Sequence, residues 1–338
     1  MIVLGIESSC DDTSVAVYDS ERGVLSNVVS SQIIHANFGG VYPEIAAREH
    51  TKNFLPVLDK ALKDAKLSLK DVDAVACTFM PGLIVSLVVG VSAAKSLSFA
   101  AEKPLIPVHH IEAHIFANFL VKEIEYPFLA LVVSGGHTEL VLVKDFEDYV
   151  YIGGTLDDAV GEVFDKVARA LDLGFPGGPF IDRLAQQGKE VIKFPRPLVG
   201  EKGENRFNFS FSGLKTAVIK EIRKGIYSKE DIAASFQNAI IETLLKKTLD
   251  ACNEFKVNRV VIAGGVSANS KLREEVSKIK DIEFYYPPLY LCTDNAAMVA
   301  YTGYKRFVKY GKGVDLSFEA KARLRIDKFP QLLRDFHS

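Results

Sequence analysis

Hydrophobic and polar positions alternate in two similar strand–turn–strand patterns, one in each half of the chain. The first joins apolar runs at residues 2–6 and 14–18 through a turn of hydroxyl and carboxyl residues at 7–13. The second joins residues 128–133 and 139–143 through Ser-Gly-Gly-His-Thr at 134–138. Each pattern predicts a β-hairpin with a polar turn. Two copies of one hairpin predict an internally duplicated fold with a cleft between its halves.

The remaining pattern alternates short apolar strands with longer helical stretches, which is typical of an α/β fold. Pro56 is expected to kink or divide the helix that contains it. The run at 84–101 is interpreted as a buried helix rather than a membrane span, since it contains Lys95 and many small residues. The further predicted strands are 72–79, 105–109 and 259–263, and the predicted helices are 44–66, 84–101, 157–169, 215–223, 229–255 and 296–310.

These elements suggest two lobes. The N-terminal lobe is expected to span residues 1–125 and to be completed by a C-terminal helical stretch at 296–325. The second lobe, residues 126–295, carries the glycine-rich turns. Residues 194–213 are predicted to form an ordered loop on this lobe, and residues 321–325 form a short basic tail.

Composition narrows the class of protein. The 338 residues have a formal net charge of −2, with 48% hydrophobic and 25% charged residues, as in a soluble globular protein. Overall charge therefore does not explain binding to nucleic acid. The four cysteines form no C-x-x-C pair, which argues against a disulfide framework. We see no signal peptide and expect a cytoplasmic protein without membrane attachment.

The stretch around residue 110 is a candidate metal site. His110 and His114 are spaced i, i+4, so a helix places them on one face, where two imidazoles can bind zinc or ferrous iron. Glu112 does not have the zincin spacing and is rotated about 200° from His110, so it should point away from a metal. Asp294 is the best-placed additional carboxylate. The alternatives are two ordinary histidines and a helix N-cap.

Three turns are candidate phosphate sites. The turn at 7–13 offers hydroxyls and backbone N–H groups, and Gly135 and Gly136 allow the backbone to approach a ligand closely. The strand at 259–263 ends at Gly264 and Gly265 before a helix, which is a nucleotide-binding arrangement. Each turn alone could equally be structural, and the three together favour a nucleotide.

Eight motifs occur in order along nearly the whole chain: GIESSCDDT, GGVYPE, HHIEAH, SGGHT, FPGGP, FSFSGLKT, GGVSAN and CTDN. Together they resemble the TsaD family, formerly called O-sialoglycoprotein endopeptidases, of the actin/Hsp70/sugar-kinase superfamily. The resemblance implies an actin-like/Hsp70-like two-lobe fold. It also implies transfer of threonylcarbamoyl from threonylcarbamoyl-AMP to N6 of adenosine 37 in tRNAs that read codons starting with A.

The resemblance also implies site residues. The metal ligands fall on His110, His114 and Asp294, for one Fe²⁺ or Zn²⁺ per chain. Acidic residues near the reacting centre fall on Asp11 and Asp12. The expected contacts to substrate and nucleotide (ATP, ADP or threonylcarbamoyl-AMP) are Ser9, Val133, Ser134, Gly135, Gly136, His137, Thr138, Asp165, Gly178, Asp182, Gly264, Gly265 and Asn269.

Two residues place the chain near the bacterial members. Archaeal and eukaryotic relatives have asparagine at the position of His137 and a tyrosine metal ligand at that of Val132. The bacterial type implies a TsaB-like pseudo-enzyme and a TsaE-like ATPase as partners, tRNA as substrate and a separate synthase for the donor. Ala113 replaces a glycine of many members, and Asp12 a glutamate of some.

Three functions remain open from the sequence: this transferase, a metalloprotease, and a sugar kinase or ATPase of the same superfamily. The spacing of Glu112 argues against the protease. A kinase would have no use for a cluster of His110, His114 and Asp294. A tightly bound transition metal would therefore separate the transferase from the kinase.

Overall fold

The computed structural model describes residues 1–337, apart from the side chains of Asn37 and His337. Its strands are β1 (Ile2–Glu7), β2 (Asp12–Asp19), β3 (Gly23–Ser31), β4 (Ala74–Met80), β5 (Leu105–His109), β6 (Phe128–Val133), β7 (Thr138–Asp145), β8 (Asp148–Gly154), β9 (Arg259–Ala263) and β10 (Glu283–Tyr285). Its α-helices are α1 (Pro43–Ala65), α2 (Ile84–Ala101), α3 (His110–Phe116), α4 (Val160–Ala170), α5 (Gly177–Ala185), α6 (Ser212–Lys224), α7 (Lys229–Phe255), α8 (Ser270–Lys278), α9 (Ala296–Tyr310) and α10 (Phe329–His337).

Both predicted hairpins are present, and each is the centre of a five-stranded sheet. The strand orders are β3-β2-β1-β4-β5 and β8-β7-β6-β9-β10. In each sheet the first three strands in sequence pair antiparallel, the fourth pairs parallel to the first, and the fifth pairs parallel to the fourth. The two sheets thus repeat one topology, which confirms the predicted duplication and the α/β class.

The chain packs as two compact units. The first unit contains residues 1–34 and 41–124 and the chain from Thr293 onward, and the second contains residues 35–40 and 125–292. The functional lobes expected from the sequence, 1–125 with 296–325 and 126–295, remain a prediction. The C-terminal helix, however, ends at Tyr310 and not at residue 325, with Gly311 in the left-handed conformation as its cap.

The first unit buries its apolar strand residues against helices. Leu4 and Ile6 of β1 lie in one core with Phe54 and Val57 of α1. On the alternate positions of the strand, a Cβ atom on Gly5 would lie 2.3 Å from the Ala296 carbonyl oxygen of α9. Helix α9 therefore approaches β1 very closely. This contact places Asn295, the residue before α9, near the carboxyl end of β1.

The second unit buries Leu129, Leu131 and Val133 of β6 in a larger core. That core includes Phe164 of α4 and Phe236 of α7, whose rings meet edge to face at 5.2 Å. These contacts hold the end of β6 and the start of α4 together, where the second polar turn lies.

The structure corrects two predictions about helices. Pro56 does not divide α1, which is continuous over 23 residues, because buried Phe54, Val57 and Leu58 hold the helix against the sheet on both sides of the proline. A kink at Pro56 remains a prediction. Helix α2 is not buried all round. It is long and apolar enough to span a membrane, but one face packs against β4 and α1 of the same unit, while Val88 is 48% and Phe99 76% exposed.

Candidate functional site

Helix α3 begins directly after β5, and all seven of its residues are buried. His110 and His114 lie one turn apart on it, with ring centroids separated by 4.6 Å. The predicted i, i+4 pairing on a helix is therefore confirmed, and both imidazoles are held by a rigid, buried element.

Asp294 completes a three-residue cluster. Its Oδ1 lies 3.0 Å from Nε2 of His114 and 3.6 Å from Nε2 of His110. One potential ligand atom from each residue lies within 4.8 Å of the others. The N-cap of α9 is the next residue, Asn295, whose side chain accepts a hydrogen bond from the Met298 N–H. The N-cap alternative for Asp294 is thus wrong, and two imidazoles with one carboxylate fit a divalent zinc or iron ion.

Glu7, which the sequence analysis missed, orients His110 from behind. It is fully buried at the end of β1 and accepts hydrogen bonds from the Ser9 N–H and the Thr78 hydroxyl, both at 2.6 Å. Its Oε2 lies 3.2 Å from Nδ1 of His110, and the Ser9 hydroxyl lies 3.1 Å from the same nitrogen. A carboxylate only accepts, so Nδ1 donates and Nε2 faces Asp294.

Charges in this network shift the pKa values of Glu7 and His110. Burial favours the neutral form of Glu7, but the charge of His110 and its hydrogen bond outweigh burial, so the pKa of Glu7 is lowered. Burial also disfavours protonated His110, yet Asp294 and Glu7 raise its pKa to about 9. Without a metal, therefore, His110 is a protonated imidazolium at neutral pH and lies between the carboxylates of Glu7 and Asp294.

The predicted carboxylates lie where the turn after β1 meets β2, with Asp11 last in the turn and Asp12 first in the strand. Asp11 and Asp12 are partly buried, and burial together with the charge of Asp294 raises the pKa of Asp12 to about 7. Burial and Asp11 raise the pKa of the Cys10 thiol well above its usual value. The turn is fixed by His50, which lies 2.8 Å from the Thr13 hydroxyl and 3.0 Å from the Cys10 carbonyl oxygen.

Glu112 is held away from the histidine pair. Both of its carboxylate oxygens accept from the Arg306 guanidinium, at 2.7 and 2.6 Å, and both side chains are buried. Arg306 also donates to the Pro107 carbonyl at 2.6 Å. Glu112 therefore anchors α3 to α9 and cannot act as the base of a zincin, which confirms the prediction from its spacing.

In the second unit, the turn after β6 has the tight geometry expected of a glycine turn. The Ser134 N–H donates to the His137 carbonyl at 2.8 Å, and the His137 N–H donates to the Ser134 hydroxyl at 3.1 Å. Gly135 and Gly136 are exposed, and an added Cβ on either would meet no atom within 4 Å. Their backbone is thus open to an approaching ligand.

The other glycine turn packs beside this one. Gly264 has φ +91°, and a Cβ there would lie 2.5 Å from the Val133 carbonyl oxygen. Thr138 accepts from the Val160 N–H at 2.8 Å, which joins the turn to the start of α4. Val133, Ser134 and Gly264 are therefore brought together, as the predicted nucleotide site requires.

The remaining predicted nucleotide residues have partners within the second unit. Asp165 accepts from the Gly177 N–H at 2.7 Å, next to Gly178. Asp182 accepts from both the N–H and the hydroxyl of Ser270, at 3.0 and 2.8 Å. Asn269 is the N-cap of α8. These contacts fix the loops, so a nucleotide would meet side chains that are already oriented.

Comparisons with known proteins agree on one family. The family model described as "TsaD: tRNA N6-adenosine threonylcarbamoyltransferase" matches residues 23–301. A protein of that name from Sulfurihydrogenibium sp. (strain YO3AOP1) is 76% identical over the full length of both chains. One from Persephonella marina is 66% identical over 99% of this chain and 98% of its own. One from Staphylococcus aureus is 45% identical over 97% and 98%.

Solved structures agree on the fold. HypF from T. kodakarensis has a TM-score of 0.61 at 16% identity, covering 92% of this chain and 48% of HypF. Component A of (R)-2-hydroxyglutaryl-CoA dehydratase from Acidaminococcus fermentans has a TM-score of 0.57 at 15% identity, covering 91% and 99%. Such likeness supports the actin-like duplicated fold, whereas the activity follows from the close relatives and the matched family model. By these matches, the chain belongs to the tRNA N6-adenosine threonylcarbamoyltransferases, the enzymes that form threonylcarbamoyl-adenosine at position 37 of tRNA.

Proposed function

We propose that the reaction takes place at the first unit's histidine cluster, with one divalent ion, Fe²⁺ or Zn²⁺, held by His110, His114 and Asp294. The observation that carries this proposal is the convergence of three ligand atoms within 4.8 Å of one another. When bound, the ion would supply Lewis-acid stabilisation of negative charge on the donor. Glu7 and the rigid helix α3 keep the ligands in place, so that little reorganisation is needed.

Asp11, the last residue of the β1–β2 turn, and Asp12, the first residue of β2, are proposed to act on the nucleophile. In the transfer, N6 of adenosine forms a bond to the carbamoyl carbon of threonylcarbamoyl-AMP, the bond to the AMP oxygen breaks, and the amine loses a proton. Asp11 would orient the amine. Asp12, whose pKa is raised above its ordinary value chiefly by burial, would be suited to accept that proton. Asp11→Asn and Asp12→Asn separate these roles, because loss of a base alters the pH–rate profile whereas loss of an orienting group lowers the rate at every pH.

The adenylate portion is proposed to bind the glycine turns of the second unit. Residues 133–138, Gly264 and Gly265 would approach its phosphate and ribose with backbone groups, while Asp182 and Asn269 hold the adjoining loops. Gly265→Val should abolish binding of ATP or an adenylate, measured by calorimetry. Unchanged affinity would leave this glycine pair with a structural role only.

The bacterial-type motifs support further assignments. We propose that the tRNAs are those reading codons that start with A, that a separate synthase supplies threonylcarbamoyl-AMP, and that a TsaB-like pseudo-enzyme and a TsaE-like ATPase are partners in the cytoplasm. The formal charge of −2 supports shared capture of tRNA, since the 43 acidic residues outnumber the 41 lysines and arginines.

Reconstitution tests this function. The chain alone should give little transfer, whereas the chain with both partners, donor and tRNA should form threonylcarbamoyl-adenosine at position 37, measured by mass spectrometry of digested tRNA. Activity should fall as salt rises from about 50 to 200 mM. A mixture that forms no modified adenosine, while the chain alone cleaves a glycoprotein, would support the protease instead.

Variants of the cluster test the metal assignment separately. His110→Ala or His114→Ala should lower both metal content and transfer sharply, because each removes one of three ligands. His109→Gln is the matched control, since the His109 side chain lies 2.9 Å from the Leu324 carbonyl oxygen and a glutamine still offers a donor there. Unchanged metal content in both alanine variants would refute the assignment.

A further inference from the structure

The short basic tail of the sequence is hydrogen-bonded at the carboxyl end of β4 in the first unit. The Lys321 N–H donates to the Phe79 carbonyl at 3.0 Å, and the Gly82 N–H donates to the Ala322 carbonyl at 3.2 Å. These residues lie at the carboxyl end of β4, where the polar turns of a parallel sheet gather. Residues 321–325, named here the basic segment, are therefore a folded part of the first unit, beside the end of β4.

Apolar side chains within and next to the basic segment pack into the core of the first unit. Phe318, just before it, is buried against Phe79 with ring centroids 5.2 Å apart, and its carbonyl accepts from the Lys95 ammonium at 2.5 Å. Leu324 packs on the same core as Phe79, and Ile326 is buried. With the apolar residues turned inward, the basic ones face solvent.

The charges of the basic segment differ in how they are paired. Arg325 forms an ion pair with Asp327 at 2.9 Å. Lys321 and Arg323 are exposed, and within residues 1–337 neither has a carboxylate at ion-pair distance. Two positive charges are thus available for an anionic partner.

A short series of contacts connects the basic segment to the histidine cluster. Gly82, which is bonded to Ala322, packs so closely on the turn after β1 that an added Cβ would lie 2.6 Å from the Ser9 carbonyl oxygen. The Ser9 hydroxyl is 3.1 Å from Nδ1 of His110. From the other side, the side chain of His109 lies 2.9 Å from the Leu324 carbonyl oxygen.

The cluster itself is unfavourable for a polyanion. Glu7, Asp11, Asp12 and Asp294 place several carboxylates at one point, and the whole chain has no excess of cations. A tRNA whose adenosine reaches this point therefore needs compensating positive charge beside it. We propose that Lys321 and Arg323 of the basic segment supply that charge by contacting tRNA phosphates next to the reacting adenosine. The proposal rests on the tRNA-modifying function.

The test compares two double variants of the full chain. Lys321→Gln/Arg323→Gln removes both charges of the basic segment. Lys66→Gln/Lys70→Gln removes two exposed charges that precede β4, at the opposite, amino end of that strand. Affinity for a fluorescein-labelled, unmodified tRNA transcript is followed by anisotropy from about 50 to 200 mM salt, because phosphate contacts show a steep salt dependence.

The basic-segment variant should bind tRNA about tenfold or more weakly at 50 mM salt, and its slope of log affinity against log salt should fall by about 2, one for each phosphate that is no longer bound. In the reconstituted transfer assay its KM for tRNA should rise while kcat at saturating tRNA and metal content stay at wild-type values. The control should match wild type in every measurement.

Equal tRNA affinity in wild type and the basic-segment variant would overturn the proposal. So would an equal loss in the control, which would indicate an effect of net charge alone, and so would wild-type chain that binds no tRNA at 50 mM. Because binding is read without catalysis, absence of threonylcarbamoyl transfer in an otherwise tRNA-binding chain would count against the proposed reaction and not against this surface.

Discussion

Replacing Glu7 by glutamine should weaken metal binding without altering any metal ligand. The wild-type carboxylate accepts from the Ser9 N–H through one oxygen and faces Thr78 and His110 through the other. A glutamine can keep its oxygen toward Ser9 only by turning its NH₂ toward Nδ1 of His110. That nitrogen must then accept, which moves the imidazole proton to Nε2, the atom that faces Asp294.

The size of the effect follows from this mismatch. Metal binding to Nε2 would return the proton to Nδ1, from which the Ser9 hydroxyl at 3.1 Å can accept, and would leave the amide N–H that faces Nδ1 buried without an acceptor, at a cost of about 1–3 kcal/mol. Since about 1.4 kcal/mol is a factor of ten, the affinity should fall roughly 5- to 150-fold. This range agrees with the roughly 10–100-fold effect of outer-shell partners of metal-bound histidines.

The assay is competition for Zn²⁺ between the full chain and a chromophoric chelator, with long-range ¹⁵N–¹H spectra of the imidazoles in the metal-free protein. Wild-type His110 should keep its Nδ1 proton throughout a pH titration, and the Glu7→Gln variant should lose it. Thr78→Val is the matched control, because it removes a hydrogen bond to the same oxygen of Glu7 but leaves the contact to His110. Equal zinc affinity in Glu7→Gln and wild type, or an unchanged proton position, would refute the reasoning.

Three further predictions concern stability, pH and backbone conformation. Glu112→Gln should lower the free energy of unfolding by about 3–5 kcal/mol, since Arg306 stays buried without its counter-charge, while folded protein keeps its metal; loss of metal from folded protein would contradict the assigned role. The pKa of His110 is raised to about 9, above the ordinary 6.5, so its contribution to the stability of metal-free protein is full below about 6.5 and is lost as pH rises through 9. Because metal must displace that proton, apparent zinc affinity should rise about tenfold per pH unit from 7 to 9. A zinc affinity that does not change with pH would exclude displacement of a proton from His110. Gly264→Ala should lower the thermal midpoint, since its φ of +91° and the Val133 carbonyl at 2.5 Å leave no room for a Cβ, and an unchanged midpoint would show that the loop can move.

Strongly patterned elements of the fold were predictable from the sequence. Helix α7 and strand β6 have the predicted bounds, because long apolar periodicity and an uninterrupted apolar run are unambiguous signals. Strands β3, β8 and β10 and helix α10 were missed. β3 alternates weakly and pairs only at a sheet edge, so tertiary pairing and not its own sequence makes it a strand.

The proposed metal ligands could be recognised from local sequence patterns, whereas Glu7, which orients one of them, could not. The spacing of His110 and His114 and the motif around Asp294 pointed to a metal, and the three residues do lie together, with one potential ligand atom from each within 4.8 Å of the others. Glu7 ends an apolar strand and its partner His110 is far away in the sequence, so nothing local indicates that they meet. A buried carboxylate at the end of a strand was the signal available, since such a group needs a partner.

The duplicated fold relates the two proposed sites, the metal site of the first unit and the nucleotide site of the second. Glu7 and Val133 occupy the same position, because each is the last residue of its sheet's first strand to pair across the hairpin, with Ser14 and Thr138 respectively. Where the first unit has a buried carboxylate that can orient an imidazole, the second has an apolar side chain. The turn of the second unit then continues through glycines, which expose backbone N–H groups, whereas the turn of the first unit continues to carboxylates. One topology therefore presents charged side chains at one turn and bare backbone at the other, as the proposed cation site and the proposed anion site require.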